Sequence, residues 1–296
     1  MPATPDHISQ NQKERLAFIE LKLYFTGELR RSDIEARFGV KPAAATRDLA
    51  LYRECAERNL SYDLPARCYK PSAEFVPLFP FQPDRVLSWL SQGFGDGLVL
   101  RLKTVAPYGG PGQLFRPDLS VLSVLTRALC AQQALTIDYL SLSSGLKRRD
   151  IVPVALADNG LRWHLRAYDR EQQRFGDFVI TRITQAEPLA QSPAEHEGLL
   201  ADEQWLRMVD LELVPHPGLH WPEAVAADYG MSAGVLRLKT RAALAGYVLR
   251  RWSVDASPDH RLDPASHHLW LRNHLTLYGV ESAALAPGYP RAEAIG

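Results

Sequence analysis

The stretch LRWHLRAYDR, Leu161 to Arg170, sets an imidazole and a phenol among arginines at alternate positions. Read with a strand's two-residue period, Leu161, Trp163, Leu165 and Ala167 line one face, and Arg162, His164, Arg166 and Tyr168 line the other. The first is a buried face. The second is open to three readings: a solvated sheet surface, a catalytic site, or a cradle for an anion. As a catalyst, His164 would be a general base and Arg166 would stabilise phosphoryl charge. The rest of the chain gives that reading little to work with. No second acid is well placed. Gly109 to Gly112 (GGPG) lacks the Lys-Ser/Thr of a phosphate-binding loop, His196-Glu197-Gly198 lacks the second histidine of a zincin, and His267 and His268 are adjacent rather than four apart. A regulator or binder is therefore expected rather than an enzyme, with no cofactor and no metal.

The elements around this row have their own polar groups. ALTIDYLSLSSG reads as a strand on which Tyr139 and Ser141 alternate to one side. RRDIVPVALADNG reads as the next strand, led by Arg148 and Arg149 and ending in the hairpin signal Asn159-Gly160. RFGDFVITRI is read as a fourth strand, with Arg182 closing it beside Phe178. Short antiparallel strands at this spacing predict a small barrel or curled sheet. DLSVLSVLTRALCAQQ, before them, is an amphipathic helix with Asp118 as its N-cap.

A second candidate site lies near the N-terminus. From Asn11 to about Phe25 a helix carries Leu16, Ile19 and Leu23 on a stripe continued by Leu29, with Lys13, Glu14, Glu20 and Lys22 off it. RRSDIEARFGV gives a second helix, with Ser32 as N-cap, Glu35 completing a capping box and Gly39 at its end. Pro42 opens a third, on which Ala45, Leu49, Tyr52 and Ala56 share one face and Ala43, Thr46, Arg47 and Ala50 the opposite one. A turn of about four residues containing glycine between two helices is helix-turn-helix spacing. A hairpin follows, Leu60 to Tyr62 and Cys68 to Lys70 around Pro65, which makes the order that of a winged helix. Such a helix enters the major groove by its first turns. Ala43 and Ala44 permit close approach, Thr46 can meet a thymine methyl or a phosphate, and Arg47 is the candidate guanine reader. Lys41 and Arg53 read as phosphate contacts, and Arg67 and Lys70 as wing contacts to the minor groove or its backbone.

Between these regions, residues 72–117 read as a connection, with a short helix at Asp84 to Leu90 and a strand at Gly97 to Lys103. PLAQSPAEHEGLLADEQ reads as a linker with a brief helix. From Met208 the order is strand, helix, strand, helix, strand, a small α+β layer, followed by an Ala/Pro/Gly-rich tail, Ala283 to Gly296, expected to be loose. The 296 residues carry 34 basic and 34 acidic side chains, so any nucleic-acid binding must rest on a local patch rather than a global field. Three widely spaced cysteines suggest a reducing compartment. The N-terminus shows no apolar signal core, and no apolar run is long enough for a membrane span. A cytoplasmic protein is expected.

Across IDYLSLSSGLKRRDIVPVALADNGLRWHLRAYDREQQRFGDFVITRI the chain resembles the WYL-domain transcription regulators. Their I-x-Y, R-x-I-x-P, naming and F-x-x-x-R-I strands are all matched, and the naming triplet falls on Trp163-His164-Leu165. Histidine in place of the central tyrosine is similar to a branch of winged-helix WYL repressors that sit beside phage-defence operons. ATRDLALYRE, NLSYD and Arg67-Cys68-Tyr69-Lys70 also fit that branch, and HPGL, AADYGM and GVLRLKTRAALAGYVLR resemble its C-terminal extension.

The resemblance implies an α+β protein: a winged helix-turn-helix (residues 11–71), a linker (72–117), an Sm-like β-barrel WYL domain that senses a ligand (118–190), and a small α/β dimerisation domain (206–282). It also implies that Tyr139, Ser141, His164, Arg166 and Arg182 converge as a phosphate-friendly ligand site, with Arg148 and Arg149 at its rim. The expected function is a dimeric repressor on an inverted-repeat operator, released by a nucleic-acid or nucleotide effector. A ligand-stimulated activator and an accessory nucleic-acid-binding protein that modulates an enzyme are the alternatives.

Overall fold

The computed structural model describes residues 8–92 and 114–290. It divides into two compact units, Met1–Leu156 with Leu165–Pro193, and Ala157–His164 with Ala194–Gly296. The strand expected at Gly97 to Lys103 lies outside the described residues.

The first unit begins with α1 (Gln10–Thr26), α2 (Arg31–Phe38) and α3 (Pro42–Cys55), followed by the hairpin β1 (Leu60–Asp63) and β2 (Cys68–Pro71). Pro42 opens α3 and Gly39 closes α2 in the left-handed region at φ 62°, where glycine carries no Cβ penalty. The start of α2 differs from the sequence reading. It begins at Arg31 rather than after Ser32, and the Asp33 carboxylate accepts the Arg30 amide at 3.0 Å, so Asp33 takes the part assigned to Glu35. The faces of α3 follow the expected period: Ala45, Leu49, Tyr52 and Ala56 are buried, while Ala43, Thr46, Arg47 and Ala50 are exposed. Arg15 of α1 grips buried Asp48 of α3 through two hydrogen bonds of 2.6 and 3.2 Å. Leu29 and Tyr69 exchange backbone hydrogen bonds, tying the wing to the segment after α1.

Next come α4 (Pro83–Gln92) and α5 (Leu119–Ala131), the latter capped by Asp118, which accepts the amides of Ser120 at 2.7 Å and Val121 at 3.2 Å. Helix α5 packs on α1. Then follow β3 (Leu135–Ser141), β4 (Gly145–Asp158), β5 (Trp163–Asp169), β6 (Arg174–Val179) and β7 (Ile183–Pro188), in the sheet order β6-β5-β4-β3-β7. Two expectations change here. The segment read as one fourth strand breaks at a 3-10 turn, Ile180–Arg182, and the chain after it forms β7, which pairs with β3 across a register shift at Asp138/Tyr139. The sheet has β6 and β7 as its edges, so no closed Sm-like barrel is formed by the described strands.

The second unit carries α6 (Glu203–Leu206), β8 (Met208–Pro215), α7 (Pro222–Asp228), β9 (Leu236–Arg241), α8 (Ala242–Arg251), β10 (Val254–Asp255) and β11 (Leu269–Leu271). Its sheet runs β10-β11-β8-β9, with β10 parallel to β11. A core of Leu211, Leu213, Leu249, Leu269 and Leu271 lies between sheet and helix. The expected loose tail is part of this core up to Ala286: Ala283 and Ala286 are buried, and the Ser282 hydroxyl donates to the Ala242 carbonyl and accepts the Gly246 amide. Gly246 is required there, because a Cβ would overlap the Ser282 carbonyl oxygen.

Candidate nucleic-acid interface and the WYL-type sheet

The outer face of α3 has a local reason for each residue. Lys41 precedes Pro42 in extended backbone at the helix start, and Lys41, Ala43, Thr46, Arg47 and Arg53 are exposed, with Ala44 half-buried. The Thr46 hydroxyl is turned back to donate to the Pro42 carbonyl at 2.9 Å. Arg67 sits at the tip of the wing in the left-handed region, φ 51°, uncommon for a residue with a Cβ. Lys70 is exposed but paired with Asp63 at 2.7 Å, and that contact holds the Asp63 carboxyl below its usual range.

A groove of about 650 Å³ joins these elements, lined by Arg30, Arg31, Thr46, Arg53, Tyr62, Arg67 and Tyr69 among others. It brings together three of the expected contacts, Thr46, Arg53 and Arg67, on α3 and the wing. It adds two that sequence reasoning missed: Arg30 and Arg31, at the start of α2. Their signal was the doublet Arg30-Arg31 before a helix, which was read as helix context rather than as charge facing the wing. Arg31 also holds Glu35 at 2.9 Å. Tyr62 and Tyr69 meet edge to face at 4.9 Å on the wing side.

The row His164, Arg166 and Tyr168 is buried rather than presented to solvent. His164 and Arg166 are each 4% exposed, and Tyr168 is also buried. Leu161, assigned to the core, is 68% exposed, because β5 starts only at Trp163 and Leu161 lies in the turn before it. Both faces of β5 are covered, so the alternation of polar and apolar types does not mark an inside and an outside. Arg166 donates to Asp177 of β6 at 3.0 Å. His164 packs on the Tyr247 ring at 5.1 Å between centroids. Tyr168 stands edge to face with Phe175 and joins Ala134 and Val152 in a small apolar cluster.

The remaining members of the expected ligand site have separate roles. The Tyr139 hydroxyl accepts the Val179 amide at 3.3 Å, with its ring against Phe178. Ser141 is at the β3–β4 turn, its hydroxyl 3.1 Å from that of Ser143. Arg182 lies in the 3-10 turn next to Ile183, the partner of Tyr139, so Tyr139 and Arg182 are neighbours. Of the two rim arginines, Arg149 is largely covered and paired with Asp169 at 2.7 Å and Glu171 at 3.1 Å, while exposed Arg148 pairs with Glu187 at 3.2 Å. Among the described residues, His164, Arg166 and Arg149 are covered, Tyr139, Ser141 and Arg182 are half-buried, and Arg148 is exposed.

These features define a class: a winged helix with a cationic groove, joined in one chain to a five-stranded WYL-type sheet and a further α+β unit. Models of known families agree with it along the chain. Residues 11–92 match the BrxR transcriptional regulator winged helix-turn-helix domain, residues 120–188 the WYL domain, and residues 208–277 the BrxR transcriptional regulator C-terminal dimerization domain. The DNA-binding transcriptional repressor CapW of Stenotrophomonas maltophilia is 32% identical over 271 residues, 88% of this chain and 89% of that protein. CapW of Escherichia coli is 29% identical over 283 residues (91% of each), and CapW of Pseudomonas aeruginosa 30% over 252 residues (80% and 81%). A solved structure, the proteasome accessory factor B/C of Arthrobacter aurescens, aligns over 96% of this chain and half of its own, at 16% identity and a TM-score of 0.27. The chain belongs to the BrxR/CapW family of WYL-domain transcriptional regulators.

Proposed function

We propose that this protein is a sequence-specific DNA-binding repressor that acts as a dimer on an inverted-repeat operator. The observation that carries the reading is the exposed face of α3, with Arg47 outward, beside a groove lined by Arg30, Arg31, Arg53 and Arg67. In this reading Arg47 reads a guanine edge, Ala43, Ala44 and Thr46 allow the close approach, and Lys41, Arg53, Arg67 and Lys70 contact phosphate or the minor groove. Arg30 and Arg31 join them on the backbone. Relatives named DNA-binding transcriptional repressors, and a C-terminal match described as a dimerization domain, support repression and the dimer. The domain division at 11–71, 118–190 and 206–282 is part of the same proposal.

The finer reading adds an effector. A nucleotide or nucleic-acid ligand at the WYL module would favour a dimer geometry that fits the operator poorly, and a coupling of about 1–3 kcal/mol would shift occupancy roughly 5–150-fold. Tyr139, Ser141 and Arg182 are its accessible contacts. His164 and Arg166 take part only if the ligand displaces Tyr247 or Asp177, which makes the effector step a rearrangement of the sheet. Control of a phage-defence operon from the cytoplasm completes the reading. Operator binding by Arg47→Ala is the test: a loss of about 1–3 kcal/mol on a guanine-containing half-site, but not on scrambled DNA, supports it. Equal loss on both makes Arg47 a phosphate clamp.

A further inference from the structure

The winged helix contains a buried acid that DNA contact does not use. Glu20 of α1 is fully buried, although its sequence position puts it off the apolar stripe. One carboxylate oxygen accepts the Tyr52 hydroxyl of α3 at 2.9 Å and the Leu78 amide at 2.8 Å; the other accepts the Phe79 amide at 2.8 Å. Asn59 doubles the link. Its amide donates to the Tyr52 hydroxyl oxygen at 3.0 Å and to the Val76 carbonyl at 2.9 Å, and its oxygen accepts the Val76 amide at 2.9 Å. Val76 to Phe79 are the strap by which the chain leaves the wing towards α4, and Leu78 and Phe79 are buried. Every arm of this network ends either on the strap or on the inner face of α3. A buried carboxyl group held by three donors is a stiff joint, since losing any one leaves a buried polar group unsatisfied.

We propose that Glu20 is a positioning residue for DNA reading: through Tyr52 it seats the recognition helix α3 against the strap, so that the segment leading to the rest of the protein sets the pose in which Arg47 meets the groove. The Arg15–Asp48 pair fixes α3 to α1 directly and leaves the strap out, so the two attachments can be separated. The inference rests on the reading of α3 as the DNA-reading helix.

The test uses the full chain as wild type, Tyr52→Phe and Glu20→Gln. Amide exchange at Val76, Leu78 and Phe79 is followed without DNA, and affinity is measured for a duplex from the chain's own upstream region and for a scrambled one. Tyr52→Phe keeps the ring, and the expected result is about tenfold faster exchange at all three strap amides, a distance from the substituted hydroxyl bridged only by Glu20 and Asn59. With it the ratio of specific to scrambled affinity falls several-fold while scrambled binding stays at the wild-type level. Glu20→Gln, which sets an amide N–H against the strap donors, gives the same pattern and replaces Tyr52→Phe if that variant does not fold. Unchanged strap exchange, or an equal loss on both duplexes, overturns the positioning role. If the wild type prefers neither duplex, the reading of α3 fails instead, and strap exchange alone decides whether Glu20 couples the two segments.

Discussion

The arginine of the naming strand shows how little a residue type says before its partner is known. Arg166 was a candidate anion ligand; it is buried and donates to Asp177. The Arg166–Asp177 ion pair is mostly covered, so Arg166→Ala, which breaks it from one side, is expected to destabilise the sheet by about 3–5 kcal/mol in urea unfolding. A loss under 1 kcal/mol would mean that the pair adds little to the sheet. Glu20 makes the same point with a pH signature. Burial pushes its carboxyl from 4.5 up to about 7, against the opposing pull of the Leu78 and Phe79 amides and the Tyr52 hydroxyl. The folded state then holds a proton that the unfolded chain has released, so the stability associated with this group is full below about pH 4.5 and lost as pH rises through 7. Wild type minus Glu20→Gln should therefore show a stability difference that shifts against the wild type between pH 5 and pH 8, by on the order of 2–3 kcal/mol. A difference independent of pH would show that Glu20 stays ionised throughout. Neither fate was legible locally. Tyr52 lies 32 residues from Glu20, and the strap amides lie 58 and 59 away.

Elements were more legible than partners, and for physical reasons. The two faces of α3 follow from a 3.6-residue period and from Pro42 after the Gly39 stop of α2, all local signals, and the faces appear as expected. The strands of the WYL-type sheet were visible from their period of two, but that period could not say that β5 is covered on both sides. Nor did it reveal β7, because the break at Ile180–Arg182 carries no glycine or proline. Strand spacing left a small barrel and a curled sheet both open, the Sm-like barrel came from resemblance, and the open order with β6 and β7 at the edges corrects it. At the other end of the chain, composition suggested a loose tail from Ala283 where, up to Ala286, packing makes a core. The close approach of α8 to the Ser282 segment predicts that Gly246→Ala costs about 1–3 kcal/mol or more, read as a fall in thermal midpoint. An unchanged midpoint would mean that the segment detaches at little cost and is not part of the core.

At the scale of the molecule, equal numbers of basic and acidic residues mean that any hold on DNA must come from a patch and not from net charge. The arginines of the groove should then act through counterion release, whereas Arg47 should act through sequence. Arg31→Ala is expected to weaken binding alike on all duplexes and to lower the salt slope by about 1 per half-site. A sequence-dependent loss would move Arg31 to the base-reading set. No helix among the described residues is long and apolar enough to cross a membrane. The most direct measurement is a gel-shift titration of the full chain on fragments of its own upstream DNA at low salt. One fragment containing an inverted repeat should be retarded and resist competition by scrambled duplex, with Arg47→Ala abolishing that preference. No retardation of any upstream fragment would contradict the repressor reading.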